Sequence, residues 1–336
     1  MASGKKRSRR PTRPQQPSGP RRLGGETTPR SAGAARRYQR SHRQGSSRLG
    51  WLAVGVVLIV VAVLIVVKLT ASKSSDTGGV ASGRDPAPAP AAVVAVLAKV
   101  PTATYNAVGT GSESDPFVET ADQPSLTEHG LPRVVYVGAE YCPYCAVMRW
   151  SLVAALDRFG TFKGLKETSS SADVPPIPTL SFLGATYTTK YFVFSPYETG
   201  DRNERTLEVL PKDVKKLYTT YDGALTGTTA SKFDPGGPGI PFLDIANRDV
   251  SSGAAALGGT IDPIAGGGPG VLRIAQAIAD PSSTIGKAID AREFVIETNY
   301  ITAAICRADG GKPASVCATP GVKAAEKVIA AAKKIS

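Results

Sequence analysis

The chain has 336 residues, a formal net charge of +12 and four cysteines. Fourteen of its 40 basic residues lie within the first fifty positions, where Glu26 is the one acid, so the rest of the chain is close to neutral. The net charge of the chain is therefore a property of its amino-terminal tail.

Residues 1–48 are rich in Pro, Gly, Ser and Arg and contain few apolar side chains. Such a segment cannot bury enough apolar surface to offset the loss of chain entropy, so we expect a disordered basic tail. The tail adjoins an apolar run, and its charge is accounted for by attraction to anionic lipids. Each Lys or Arg near a membrane surface contributes about 1 kcal/mol to this attraction. We therefore expect no nucleic-acid partner.

Residues 49–67 read LGWLAVGVVLIVVAVLIVV, an uncharged run that would cover roughly 28 Å as a helix. This length predicts one transmembrane helix, because buried core helices rarely run so far without a polar residue. A cleaved signal peptide is the rival interpretation, but the preceding basic region is long and KLTASKSS lacks a good small-x-small cleavage site. An uncleaved anchor is favoured.

The charges that flank this run predict its orientation. Six Lys or Arg residues lie between residues 30 and 48 and three lie between residues 68 and 86, which predicts a cytoplasmic amino terminus. Residues 68–91 are small, polar and Pro-rich, typical of a linker. Residues 92–336 then form an extracytoplasmic domain of a single-pass cell-membrane protein, with an insertion at about 196–238.

The domain opens with a short predicted helix, AAVVAVLAKVP, and continues to RVVYVGA, a β-branched run typical of a strand buried on both faces of a mainly parallel sheet. After Cys145, apolar residues recur at helical spacing until Gly160, which predicts an amphipathic helix. Farther on we predict two aromatic-rich strands around Gly184, a helix after Pro211, a glycine-rich loop and strand near Pro241, and helices beginning near Gly270 and Ser283.

Cys142 and Cys145 lie between the predicted strand and the predicted helix. A Cys at a helix amino terminus meets free backbone N–H groups and the positive end of the helix dipole, and both favour the thiolate. Cys142 is therefore predicted to be the attacking sulfur. Cys145, one turn later and facing inward, is predicted to resolve the mixed disulfide that Cys142 forms with a substrate.

Three other roles fit a Cys-x-x-Cys pair. A static disulfide is one, although structural bridges rarely span two residues at a strand-to-helix junction. Zinc would need two further ligands, and the sequence has no second Cys-x-x-Cys, so we expect no metal site and no cofactor. Two thiolates can also bind Cu(I), but no Met or His cluster accompanies them.

GAEYCPYC after a buried strand resembles the active-site sequence of thioredoxins, with the Pro-Tyr dipeptide found in glutaredoxins. The resemblance implies an α/β thioredoxin-like fold, here with a helical or loop insertion, and a cis proline that faces the cysteines from the start of another strand. Pro178 and Pro241 both fit this role. We favour Ile240-Pro241, because FLDIANRDVSSGA is similar to the strand and hairpin of DsbA-type periplasmic oxidases, where the backbone before the proline pairs with substrate.

A closer resemblance covers about residues 92–318. YVGAEYCPYCAVMRWSLVAALDRFGTFKGL, IPFLDIANRDVSSGA and NYITAAICRADGGKPASVC are together similar to one uncharacterised family, number nine hundred and twenty-nine in the domain-of-unknown-function series. Members of that family are thioredoxin-like and often membrane-anchored, and no substrate is established for them. The resemblance therefore implies the fold more than the reaction.

Four residues near the cysteines are candidates for tuning them. Tyr136 stands where thioredoxins carry a buried acid, which leaves proton handling at the second cysteine open. Glu140 would raise the pKa of the first cysteine if its carboxylate were close, but we expect it to be a solvated loop residue. Pro143 and Tyr144 lie between the cysteines, and two interpretations of Tyr144 stay open: it shapes the substrate surface and the reduction potential, or it only covers the helix end.

Cys306 and Cys317 enclose the segment CRADGGKPASVC. Outside the membrane the plain interpretation is a structural disulfide, and sequence proximity favours this pairing over links to Cys142 or Cys145. Closing a loop of this size contributes about 2 to 3 kcal/mol in the chain-entropy model.

The sequence thus predicts a membrane-anchored extracytoplasmic thiol-disulfide oxidoreductase. Its expected partners are the thiols and disulfides of exported proteins, together with an unidentified redox partner. The alternative from another class is a non-catalytic cell-surface binding module with a thioredoxin-like scaffold and two structural disulfides. Sequence leaves the direction of exchange and the oligomeric state open.

Overall fold

The structure is a computed structural model that describes residues 86–112, 117–120, 122–171, 175–228, 239–266, 268–332 and 334–335. The predicted basic tail, the transmembrane helix predicted at 49–67 and the linker as far as residue 85 lie outside these ranges. Within them, no single helix is long and apolar enough to cross a membrane. One bent pair of helices, Ala91–Leu97 and Thr102–Val108 at 61° to each other, meets that criterion by length and composition only.

The described part of the chain is a mixed α/β structure. Its strands are Ala87–Pro88 (β1), Val118–Thr120 (β2), Thr127–Glu128 (β3), Leu131–Gly138 (β4), Thr161–Lys163 (β5), Lys166–Ser169 (β6), Pro178–Ser181 (β7), Thr186–Thr188 (β8), Val193–Glu198 (β9), Phe242–Ile245 (β10), Asp249–Ser252 (β11) and Lys334–Ile335 (β12). Its α-helices are Ala91–Leu97 (α1), Thr102–Val108 (α2), Pro143–Leu156 (α3), Lys212–Thr228 (α4), Ile261–Ile264 (α5), Val271–Ala279 (α6), Thr284–Ala288 (α7), Ala291–Ala308 (α8), Ala314–Cys317 (α9) and Pro320–Ala331 (α10), and a 3-10 helix spans Ala255–Thr260.

Strand β4 lies inside the largest sheet, in the order β12-β2-β11-β10-β4-β3, and β9 also pairs with β4. β9 runs parallel to β4, with Gly138 opposite Glu198, whereas β10 runs antiparallel to β4 and forms a hairpin with β11. The prediction of a mainly parallel sheet is therefore wrong. A continuous apolar run reports burial of both faces of a strand and carries no information on the direction of its neighbours.

The alternating side chains of β4 enter two separate cores. Val134 and Tyr136 join the larger core, to which α3 and α8 contribute, while Val135 and Val137 join a smaller core with Val214 of α4. All of these side chains are buried. The expected burial of both faces of this strand is confirmed, and it arises because helices cover the sheet on each side.

Helix α3 begins directly after Cys142 and is buried on every side from Cys145 to its end. α8 packs along it, and the Ser151 hydroxyl donates a hydrogen bond to the carbonyl of Phe294 at 3.0 Å. The predicted amphipathic helix is thus a core helix. Apolar spacing alone did not indicate this, because polar residues such as Arg149 and Ser151 are buried together with their hydrogen-bond partners.

Three further predictions differ in detail. Three strands, β7, β8 and β9, surround Gly184 and belong to different sheets. The helix expected from Ser283 is two helices, α7 and α8, because Asp290 between them has a φ of 50°, which a right-handed helix does not accommodate. Of the insertion predicted at about 196–238, residues 196–198 belong to β9, and α4 covers the smaller core.

Candidate functional site: a buried dithiol

The two cysteines lie at the junction between β4 and α3. Cys142 has extended backbone angles, φ −75° and ψ 123°, and is the N-cap of the helix, whose first residue is Pro143. Pro suits this position because its φ is already helical and the N–H it lacks would have no partner within the helix. The Cys142 Sγ takes the capping role and accepts a hydrogen bond from the backbone N–H of Cys145 at 3.3 Å.

Both cysteines are free thiols, and they differ in environment. Cys142 is 6 % exposed, whereas Cys145 is completely buried. The pKa of Cys142 is lowered, chiefly by the hydrogen bond from the Cys145 thiol, with help from backbone N–H groups and Arg149 and against the effect of burial. Burial raises the pKa of Cys145 well above the ordinary value of a thiol. The pKa values of the two thiols are therefore shifted in opposite directions.

The segment before β10 lies against Cys142. The Cys142 thiol is 3.6 Å from the carbonyl oxygen of Ile240, which it can reach as a donor. The peptide bond from Ile240 to Pro241 is cis, as is that from Lys312 to Pro313. Pro178, the other proline considered from sequence, lies in β7, where its carbonyl accepts a hydrogen bond from Trp150 Nε1 at 3.1 Å.

Tyr136 is fully buried in the core beneath the dithiol. Its ring extends along β4 into the space that a side chain at Gly138 would occupy. The hydroxyl has no hydrogen-bond partner among the described residues. Burial raises the pKa of this phenol well above its usual value, the Arg149 charge opposes that increase, and both thiols contribute to it. The position that the sequence resemblance to thioredoxins assigns to a buried acid therefore holds a neutral hydroxyl.

Glu140 is completely buried, so the prediction that it is a solvated loop residue is wrong. Its Oε1 accepts a hydrogen bond from the Ser181 hydroxyl at 2.7 Å, and its backbone N–H donates to the carbonyl of Gly200 at 2.8 Å. Burial raises the pKa of this carboxyl, and Ser181 and Arg149 oppose that effect. The residues that cover Glu140 come from β7 and from the loop after β9, which are far away in sequence and could not be anticipated from local pattern.

Arg149 and Glu198 were not anticipated from sequence. Arg149 lies one helical turn beyond Cys145, and its Nε and Nη2 donate to the two carboxylate oxygens of Glu198 at 2.9 and 2.6 Å. Nη2 also donates to the carbonyl of Ala139 at 2.7 Å. Burial lowers the pKa of the guanidinium, but Glu198 more than offsets this, so the pKa of Arg149 is raised and its charge is permanent. One feature of the sequence could have indicated Arg149: it follows Cys145 by four residues and therefore lies on the same face of the helix.

Tyr144 is the exposed member of the turn, with 43 % of the residue accessible. It lies beside the 3-10 helix, where a side-chain carbon added at Gly258 would be 4.0 Å from the Tyr144 ring. Both expectations for Tyr144 remain compatible with this position, because an exposed ring beside the dithiol can contact a substrate or can simply cover the helix end.

Cys306 and Cys317 form the predicted disulfide, which joins the end of α8 to α9. Both residues are buried in the larger core. The pairing leaves Cys142 and Cys145 as the free thiols. Within the described ranges, no group of three or more His, Cys, Asp or Glu side chains is arranged to hold a metal ion.

Residues 118–231 match the model of a family described as a domain of unknown function (DUF929). This segment includes the dithiol, Arg149 and Glu198, and the match supports the resemblance to that family. No curated protein and no solved structure matches the chain. What the dithiol does must therefore be inferred from its own surroundings.

Proposed function

We propose that this protein is a membrane-anchored extracytoplasmic thiol-disulfide oxidoreductase with a thioredoxin-like domain. Cys142 and Cys145 exchange disulfides with the thiols and disulfides of exported proteins. The observation that carries this proposal is the unequal environment of the two sulfurs at one helix amino terminus: Cys142 accepts the N–H of Cys145 and has a lowered pKa, while Cys145 is buried with a raised pKa. A pair of cysteines with a purely structural role does not require two sulfurs whose pKa values are shifted in opposite directions.

The exchange reaction uses the two sulfurs in turn. The Cys142 thiolate attacks one sulfur of a substrate disulfide, the substrate S–S bond breaks, and the other substrate sulfur leaves as a thiolate that takes a proton. Cys145 then gives up its proton and attacks Cys142 Sγ, which releases the second substrate thiol and leaves a Cys142–Cys145 disulfide. The same steps in reverse oxidise two substrate thiols.

A substrate would approach Cys142 from the side of Ile240. In the thiol form, the Ile240 carbonyl lies 3.6 Å from the Cys142 sulfur, so a substrate sulfur bonded to Cys142 is next to this backbone. The Ile240-Pro241 segment would then hold the substrate backbone, and the exposed Tyr144 ring is available for a second contact. Both features are consistent with the thioredoxin-like architecture that the sequence resemblance implies.

The proposed location rests on the sequence and on one feature of the domain. The apolar run at 49–67 and the excess of basic residues before it support an anchor with its amino terminus in the cytoplasm. The Cys306–Cys317 disulfide supports an extracytoplasmic domain, because structural disulfides are rare where glutathione keeps thiols reduced.

Trapping of mixed disulfides tests the proposal. In cells that express the full chain with Cys145→Ala, substrates bonded to Cys142 cannot be released, so disulfide-linked adducts that disappear on reduction should accumulate. The matched control is Cys142→Ala/Cys145→Ala, which should form none. Absence of adducts, together with insulin reduction and refolding of a reduced substrate no faster than in the double variant, would remove the enzyme proposal.

A non-catalytic binding module is the second candidate, and the burial of both sulfurs favours it, since Cys142 is only 6 % exposed. The ultraviolet absorbance of thiolate against pH separates the two. A catalytic Cys142 should titrate well below about 8.5, the ordinary value for a thiol, whereas a buried structural thiol should not.

A further inference from the structure

Arg149 introduces a permanent positive charge into the core one helical turn beyond Cys145. The Ala139 carbonyl that accepts a hydrogen bond from its Nη2 at 2.7 Å also accepts the backbone N–H of Cys142 at 3.3 Å. The side chains of Arg149 and Glu198 are both completely buried. Two hydrogen bonds to Glu198 and one to the Ala139 carbonyl hold the guanidinium between α3, β9 and the turn that precedes Cys142. Because a planar guanidinium with this many fixed partners has little freedom, the charge stays in one place relative to the sulfurs.

The charge of Arg149 favours the ionised form of both thiols. It contributes to the lowered pKa of Cys142 and opposes the increase that burial imposes on the pKa of Cys145. The third guanidinium nitrogen, Nη1, has no hydrogen-bond partner among the described residues. A buried cation with an unused N–H is better compensated when a neighbouring sulfur carries a negative charge.

The other titratable groups that face Arg149 are Tyr136, Glu140 and Glu198, and the Glu198 charge offsets part of this effect. Tyr136 on β4 is kept neutral because burial raises the pKa of its phenol. Burial also raises the pKa of Glu140, in the turn, and the Ser181 hydroxyl and Arg149 oppose that increase. Glu198 on β9 is the carboxylate that balances Arg149, and its two oxygens are occupied by the guanidinium. Because Tyr136 is neutral, it does not disfavour a nearby thiolate as a carboxylate would.

We infer that the dithiol is a disulfide donor: it passes its disulfide to the reduced thiols of exported proteins, and Arg149, oriented by Glu198, is the positioning residue that sets this direction. The inference rests on the proposed function and adds the direction of exchange. Groups that stabilise the thiolates stabilise the reduced protein, and a disulfide whose reduced form is stabilised is a stronger oxidant.

The donation step balances without any other group. A substrate thiolate attacks Cys142 Sγ, the Cys142–Cys145 bond breaks, and Cys145 leaves as a thiolate and takes a proton. A second substrate thiolate then attacks the substrate sulfur of the mixed disulfide and releases the Cys142 thiolate. Two substrate thiols are oxidised to one disulfide, and the protein is reduced. A second disulfide compound, such as oxidised glutathione, then reoxidises Cys142 and Cys145 to their disulfide.

Equilibration of the purified full chain with mixtures of reduced and oxidised glutathione, followed by alkylation of free thiols, tests the role of Arg149. Arg149→Met/Glu198→Gln removes both charges and should make the disulfide about tenfold harder to reduce, because the thiolate loses the charge that stabilises it. Arg149→Lys keeps the charge and should stay within about threefold of the wild type.

The single variants separate electrostatics from loosened packing. Arg149→Met leaves the Glu198 charge alone and should make the disulfide harder to reduce, whereas Glu198→Gln leaves the Arg149 charge alone and should make it easier to reduce. A merely structural pair would shift both variants in the same direction. Shifts of the same sign, or no shift in the double variant, would overturn the role given to Arg149.

Direct assays separate the direction of exchange from exchange itself. The oxidised full chain should form disulfides in a reduced, unfolded protein faster than its reduced form cleaves the disulfides of insulin. The opposite order would overturn the donor assignment while leaving the oxidoreductase proposal intact. Failure of Cys142 to exchange with glutathione at all, at the level of Cys142→Ala/Cys145→Ala, would instead remove the proposed function and this inference with it.

Discussion

The guanidinium of Arg149 and the carboxylate of Glu198 meet through two hydrogen bonds, 2.9 and 2.6 Å long, in a site where neither side chain is accessible to solvent. The pair connects the helix that carries the dithiol to β9, the parallel neighbour of β4. Glu198 Oε1 also accepts the backbone N–H of Phe182 at 3.3 Å, so the contact extends to the end of β7. One buried pair thus ties three elements together around the thiols.

Removal of one partner should cost more stability than removal of both. Arg149→Met leaves a buried, unpaired Glu198 charge, so we expect the free energy of unfolding to fall by about 3 to 5 kcal/mol. In Arg149→Met/Glu198→Gln no charge remains, and we expect a clearly smaller loss. Urea denaturation of the full chain under reducing conditions measures both. Equal losses in the single and double variants would contradict the pairing.

The two cysteines should react with an alkylating agent in different pH ranges. The pKa of Cys142 is lowered and that of Cys145 is raised, so alkylation at Cys142 should reach half of its maximal rate below about pH 8.5, while Cys145 should react slowly throughout. Mass spectrometry of the modified peptides gives the rate at each site. Cys142→Ala is the control, because it should abolish the fast reaction; equal rates at both sites would contradict the assignment.

Much of the local structure around the dithiol could be predicted from sequence. The β-branched run before Cys142 and the Pro at the first helical position identify a strand, a turn and a helix, since these signals act over a few residues. The cysteine pairing could also be predicted, because Cys306 and Cys317 are close in sequence. The direction of neighbouring strands could not, because it depends on contacts among residues 131–138, 193–198 and 242–245.

The electrostatic surroundings of the dithiol could not be predicted. Glu140 is next to the cysteines in sequence and charged, which is typical of a solvated loop, yet β7 and the loop after β9 bury it. Arg149 shares a helix face with Cys145, but Glu198, its partner, is 49 residues away. Burial of a charge depends on a partner brought by the fold, and a single sequence does not reveal which residues meet.

The disulfide between Cys306 and Cys317 should stabilise the domain without taking part in exchange. Cys306→Ala/Cys317→Ala opens a loop with a sequence separation of 11, so we expect a loss of about 2 to 3 kcal/mol in the free energy of unfolding. Thermal and urea denaturation measure this loss, and the reaction with glutathione at Cys142 should keep its rate. Wild-type stability of the variant would contradict this division of roles. So would a variant that is folded but no longer exchanges with glutathione.

Removal of the Tyr136 hydroxyl should stabilise the protein. This hydroxyl is buried and has no hydrogen-bond partner among the described residues, so it carries a desolvation cost without compensation. We expect Tyr136→Phe to raise the free energy of unfolding by about 1 kcal/mol. Tyr187→Phe is a matched control of opposite sign, because the Tyr187 hydroxyl donates to the Leu156 carbonyl at 2.7 Å. Destabilisation of both variants would indicate a partner for the Tyr136 hydroxyl.

Asp244, on β10, should make stability fall as the pH rises. Its side chain is fully buried, Oδ1 accepts the N–H of Asn247 at 2.7 Å, and Oδ2 has no partner among the described residues. Burial is the main cause that raises its pKa to about 7. Because the folded state holds this proton more tightly than the unfolded state does, the stabilisation is complete below about pH 4 and is lost as the pH rises through about 7.

Asp244→Asn removes this titration and should leave a neutral side chain at every pH. Relative to wild type, the variant should gain up to about 4 kcal/mol in the free energy of unfolding at pH 8, and much less at pH 5. Asp280→Asn is the control, since the exposed Asp280 has a lowered pKa, chiefly because of its hydrogen bond from Ser282, and should show no such gain. Urea denaturation at both pH values measures the difference, and a gain for Asp244→Asn that does not depend on pH would contradict the raised pKa.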